Sequence, residues 1–184
     1  PALGAQTSER PVLIRAGRLI DAASDAAKAD QGILITGDRI TRVGPYAVVA
    51  ASAGNAERVE LSRYTVLPGL IDAHTHVFLD GTDYANQMLR QSIPYRTIQA
   101  VTSARAALDY GFTTIRDLET EGAMYEDVDV KTAIERGVIP GPRMLVATRG
   151  LAPTGMYPLT GYSWELEVPA GAQLVDGVDE IRKA

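Results

Sequence analysis

The sequence predicts an α/β protein in two parts, a small β domain followed by β–α–β units of a parallel sheet. Two observations predict it. Up to Thr65 the apolar runs are short, β-branched and separated by turn residues, the pattern of closely connected strands. From Val66 onward, strand-like runs alternate with stretches of helical periodicity, which calls for a parallel sheet with crossover helices. The spacing changes character at Thr65–Gly69. We therefore expect residues 1–11 as a flexible arm, 12–67 as the β part and 68–184 as the α/β part.

In the β part, Val12-Leu13-Ile14 and Arg18-Leu19-Ile20 read as strand pieces, and Ile33-Leu34-Ile35 as another. Gly37-Asp38 then supplies a hairpin turn before Arg39–Val43, since glycine accepts the positive φ that tight hairpins demand. Ala47–Ala56 is Ala-rich and fits one short helix, and Val59-Glu60-Leu61 alternates like a further strand. These strands are expected to pair antiparallel. In the second part, Val66–Val77 is an apolar strand that ends in His74-Thr75-His76. Ile93–Tyr110 reads as a helix, with Ile98, Val101, Ala104 and Leu108 on its packed face and Gly111 as the stop. Phe112–Arg116 is a β-branched strand, Tyr125–Arg136 a helix ended by Gly137, and Arg143–Thr148 a third strand. Gly150–Leu174 shows neither period and carries Tyr157, Tyr162 and Trp164 among prolines and glycines. A loop of that length usually has a task. A last helix opens near Asp176, which is placed to cap it.

Composition narrows the function. Hydrophobic residues make up 46% of the 184-residue chain, enough for a packed core and too many for disorder. A formal net charge of −5 argues against coating nucleic acid or an anionic membrane. No apolar run approaches the roughly 20 residues that span a bilayer. Cysteine is absent, which excludes disulfides, thiolate metal sites and thiol nucleophiles. Two readings stand for residues 1–6: the tail of a signal peptide cleaved near Ala5, or a trimmed terminus. The compartment stays open between cytoplasm and periplasm.

His74 and His76 are the two histidines of the sequence, so any imidazole chemistry must use them. In a strand, residues i and i+2 share a face, so both rings project together and can reach one divalent cation. A bare His-x-His is a weak signal, because satisfied or merely exposed histidines are common. The context strengthens it. The pair ends an apolar strand entered through Pro68-Gly69, and the C-terminal ends of parallel strands are where α/β proteins place their chemistry. Metal identity stays open, because imidazoles suit several ions.

Val66–His76 closely resembles the first-strand signature of the amidohydrolase superfamily. Tyr110–Leu118 looks like its second strand, and Ala133–Arg143 like its second helix and third strand. With Ile93-Pro94-Tyr95-Arg96-Thr97, these stretches are similar to the branch of Xaa-Pro dipeptidases and imidazolonepropionases, to which bacterial ochratoxin-hydrolysing amidohydrolases are also related. The resemblance spans about residues 12–184.

The resemblance implies a (β/α)8 barrel beside a small β-sandwich, with three barrel strands in this chain. It implies one or two Zn2+, with His74 and His76 as ligands, and a metal-activated hydroxide that hydrolyses an amide. The substrate would be a dipeptide or N-acyl amino acid, ochratoxin-type amides included. The carboxylated lysine, two histidines and catalytic aspartate of the family fall on later strands, so the chain is expected to be the N-terminal part of a longer enzyme. Lys183 is not that lysine, because it sits in a charged helix rather than at a strand end. A homo-oligomer is implied as well. Asp117, at the end of the second strand, would orient a ligand or loop, with a plain Arg116–Asp117 pair as the favoured alternative. Tyr157, Tyr162 and Trp164 would line an apolar substrate pocket, or else pack within their own loop. Thr154-Gly155-Met156-Tyr157 departs from the Gly- and His-rich run of the dipeptidase-like relatives, which puts simple prolidase specificity in doubt. The alternatives are a cyclic-amide hydrolase of the imidazolonepropionase type and a catalytically incomplete metal-binding fragment.

Overall fold

The computed structural model describes residues 10–156 and 159–184, so residues 1–6 and Tyr157 lie outside the described residues. Two compact units divide at Pro68/Gly69.

The first unit is a four-stranded sheet in the order β3-β2-β1-β4: β1 (Val12–Leu19), β2 (Lys28–Thr36), β3 (Arg39–Pro45) and β4 (Glu57–Val66). The two pieces expected at Val12–Ile14 and Arg18–Ile20 are one strand, with a register shift between Ala16 and Arg18. The hairpin turns at Gly37, where φ is 59°. β1 pairs antiparallel with β2 but parallel with β4, which corrects the all-antiparallel expectation. A crossover explains it: α1 (Tyr46–Ala51) lies between β3 and β4 and carries the chain back to run alongside β1. Val49 of α1 packs with Leu13, Ala53 and Ala56, and a second cluster joins Ala16, Leu19 and Ile33. Arg10 and Pro11, expected in a free arm, are already tied down. Arg10 Nε donates to Asn55 O at 2.6 Å and Glu57 N donates to Pro11 O at 2.8 Å.

The second unit is a three-stranded parallel sheet, β5 (Leu70–Thr75), β6 (Phe112–Asp117) and β7 (Arg143–Val146), with helices between the strands. Val66, expected at the start of this sheet, belongs to β4. α2 (Tyr84–Arg90) went unpredicted, although Asp83 caps it by accepting from Ala85 N and Asn86 N. α3 (Ile93–Asp109) starts at a Ser92 cap and is followed by Gly111 at φ 91°. Its buried line is Arg96, Ala100 and Ala104, while Ile98 is 67% exposed, a correction to the packed face read from the sequence. Small side chains let the helix approach β6 closely, and Phe78, Ile115, Val130 and Met144 complete that core with them.

α4 (Glu126–Glu135) carries three acidic residues in its first turn, favourable toward the helix dipole. The Gly150–Leu174 loop holds one short parallel pair, β8 (Leu151–Ala152) with β9 (Gln173–Leu174). α5 (Val178–Lys183) is capped by Gly177 rather than Asp176. Asp176 accepts instead from the backbone and hydroxyl of Thr154, which pins the two ends of the long loop together. Lys183 lies exposed in α5. Among the described residues no helix is long and apolar enough to cross a membrane.

Candidate metal centre

His74 ends near the tip of β5 and His76 follows its last residue. Their Nε2 atoms stand 3.2 Å apart, with ring centroids 5.2 Å apart and planes tilted by 58°. Two nitrogens each about 2.0–2.1 Å from a tetrahedral ion would be about 3.3 Å apart. The pair therefore fits the donor spacing of one divalent cation.

The backbone around the histidines is fixed by buried polar groups. Asp117, fully buried at the end of β6, accepts from Val77 N at 2.8 Å, and Leu118 N donates to Thr75 O at 3.0 Å. The Arg116–Asp117 pair does not form. Neighbours on a strand point to opposite faces, and Arg116 is exposed. Burial is the main cause that pushes the Asp117 carboxyl up to about 7, against the Val77 N–H bond and with help from the Asp127 charge. Asp127 in turn accepts from Thr148 N and Val128 N, joining α4 to the end of β7. Buried Gln87 of α2 accepts from Asp80 N and donates to Phe78 O, clamping the chain just past His76.

Sequence reasoning missed two acidic neighbours. Beyond β6, Glu119 and Glu121 turn back toward His76, and one donor atom from each of the three lies within 4.8 Å of the others. His76 Nδ1 is 3.2 Å from Glu121 Oε1 but out of line for a hydrogen bond, and it is a buried nitrogen with no hydrogen-bond partner among the described residues. Glu121 Oε2 accepts from Tyr84 Oη at 3.1 Å. Burial first, then the Glu121 charge, raises the Tyr84 phenol, while burial raises Glu119. Arg96, buried in α3, donates to the carbonyls of Thr120 and Glu121 and touches Met88 Sδ. Burial lowers its pKa. Two glycines make room. A Cβ on Gly150 would lie 2.1 Å from Glu119 Oε1, and one on Gly171 would lie 1.9 Å from Tyr84 Oη. Two signals for this shell were present in the sequence: two glutamates just past a strand end, and an arginine within the Ile93–Thr97 motif.

The aromatic residues of the long loop are placed differently from the histidines. Tyr162 borders a shallow hollow with Asp83, Ala85, Asn86, Leu89 and Arg90, and Trp164 is 91% exposed. Neither is sunk into an apolar pocket among the described residues.

The chain is 28% identical over 162 residues to an imidazolonepropionase of Micrococcus luteus, covering 83% of this chain and 39% of that protein. A crystal structure of a Xaa-Pro dipeptidase with bound methionine in its active site superposes with a TM-score of 0.80 at 28% identity. That match covers 94% of this chain and 43% of the other. The ochratoxinase of A. niger shares the fold, with a TM-score of 0.70 at 23% identity, covering 95% of this chain and 43% of that one. The chain thus spans about two-fifths of the length of these relatives. The Amidohydrolase family pattern matches residues 65–184, the stretch that carries both histidines and the carboxylates behind them, and the chain belongs to that family.

Proposed function

We propose that the chain supplies the first metal ligands of a hydrolase that cleaves a carbon–nitrogen bond, its substrate a dipeptide or an N-acyl amino acid. The observation that carries this reading is the 3.2 Å spacing of His74 Nε2 and His76 Nε2 at the C-terminal end of a parallel strand. Zinc is the first candidate, because imidazole nitrogens suit it. The chemistry a divalent ion supplies at such a site is Lewis-acid polarisation of a carbonyl and acidification of water.

This chain's own residues bind and position. His74 and His76 offer neutral imidazole nitrogens, and protons compete for them in acid, so metal is expected to be released as pH falls. Asp117 holds the backbone beside His76, and Gln87 holds the segment after it. Closure of the three-stranded sheet into a (β/α)8 barrel by further chain is part of the proposal. Ile71 is 70% exposed and Leu145 52%, whereas strands of parallel sheets are normally covered on both faces. The relatives' greater length supplies the chain for it.

A second reading, opening of a cyclic amide, is favoured by the imidazolonepropionase likeness. One experiment separates them. The full-length protein, wild type and His74→Ala/His76→Ala, is assayed for bound metal and offered Xaa-Pro, Xaa-Phe, aryl-amide and imidazolone substrates. Free amino acid released by wild type, and lost with the metal in the double variant, is the expected result. Ring opening without amino-acid release would favour the second reading. Metal content and hydrolysis that survive the double substitution would remove both.

A further inference from the structure

We infer that Glu121 is a positioning residue for the metal centre. Its carboxylate stands beside His76 Nδ1, placed to take the ring proton there and leave Nε2 free for the ion, and it is itself held by Tyr84 and Arg96. The inference rests on the reading of His74 and His76 as ligands and deepens it.

Three observations carry it. First, the two nitrogens of His76 face different partners. Nε2 meets His74 Nε2 at 3.2 Å, while Nδ1 meets Glu121 Oε1 at 3.2 Å. A carboxylate can only accept, so a ring proton on Nδ1 would give this otherwise unpartnered buried nitrogen its acceptor and leave a lone pair on Nε2. Metal-bound histidines generally need such an acceptor on the far nitrogen, which fixes the tautomer and raises ligand basicity. Second, the carboxylate is not free to leave. Its side chain is 7% exposed, its second oxygen accepts from Tyr84 Oη, and its backbone carbonyl accepts from Arg96 Nη2. Third, the backbone is strained to aim it. Glu121 sits at φ 52°, a left-handed conformation unfavourable for a side chain with a Cβ, followed by Gly122 at φ 80°. Such outliers persist where surrounding contacts over-determine them, and the Arg96 bonds to the carbonyls of Thr120 and Glu121 do so here.

Glu119 differs from Glu121. Its Oε1 is buried without a partner, and it reaches neither Tyr84 nor Arg96 among the hydrogen bonds of the described residues. Glu121 is the residue with both the contact to His76 and the support behind it.

The test uses full-length protein stripped of metal, with 15N-labelled histidine, followed by zinc titration against a chelator of known affinity. Wild type is expected to show His76 protonated at Nδ1. Glu121→Ala should mix the tautomers and weaken zinc binding about 10–100-fold. Glu121→Gln keeps an acceptor but loses the charge. It should therefore retain the Nδ1–H tautomer with an intermediate affinity, which also decides the matter if Glu121→Ala does not fold. Tyr84→Phe should weaken zinc binding by less than Glu121→Ala. Zinc affinities within about twofold of wild type in both Glu121 variants, or a wild-type His76 protonated at Nε2, would overturn the assignment. A wild type that binds no zinc would sink the metal reading itself, a result distinct from zinc bound by a His76 indifferent to Glu121.

Discussion

At the scale of single residues, Asp117 and Arg96 show how buried polar side chains are used to hold a backbone. Burial pushes the Asp117 carboxyl up to about 7 in the folded chain, against about 3.9 for an exposed aspartate. The folded state therefore keeps a proton that the unfolded state has lost. The group favours folding most in acid, and that contribution declines as pH rises from about 4 through about 7. Asp117→Asn keeps an acceptor for Val77 N and removes the charge. In metal-free full-length protein it should flatten the loss of stability between pH 5 and pH 8, measured by urea midpoints. A slope equal to wild type's would contradict the burial account. Arg96→Met keeps the bulk but strips the donors from two carbonyls, and should cost about 2–4 kcal/mol in chemical denaturation. A loss under about 1 kcal/mol would mean that water replaces the guanidinium without penalty. His74 and His76 were legible in the sequence because strand alternation alone puts them side by side. Glu119 and Glu121 were not, because a loop with a left-handed residue brings them back, and no periodicity encodes that path.

Among the elements, β6, α3 and α4 were legible because their apolar spacing and glycine stops are strong local signals. α2 escaped because seven residues hold too few periods to stand out, although Asp83 marks its start. The packed face of α3 was misread because its central buried residue is an arginine and its neighbours are alanines, while the large Ile98 faces out. Asp176 looked like a helix cap, but the two bonds from Thr154 compete for the same oxygens and win. The loop after β7 also shapes the site through glycine. Gly171→Ala would put a Cβ on the Tyr84 hydroxyl, so it should reproduce the Tyr84→Phe loss of zinc affinity without touching a ligand. Equal affinity in Gly171→Ala and wild type would show that the loop yields instead.

For the whole molecule, the division into a β unit and an α/β unit follows from the change of spacing at Thr65–Gly69, and the contact boundary falls at Pro68/Gly69. The parallel pairing of β1 with β4 lay beyond local pattern, since it depends on where α1 returns the chain. Membership of the amidohydrolase family was legible from Val66–His76 and the stretches around β6 and α4, the first two of which carry β5 and β6 up to the histidines and the carboxylates beyond them. In the proposed centre one divalent ion sits between the two imidazole Nε2 atoms. The most direct measurement is a crystal structure of the zinc-loaded full-length protein, with data collected across the zinc edge. The expected result is an anomalous peak about 2.0–2.1 Å from both His74 Nε2 and His76 Nε2, with Glu121 Oε1 on His76 Nδ1 and not on the metal. A peak held by His76 Nδ1, Glu119 and Glu121, or no peak at either histidine, would contradict it.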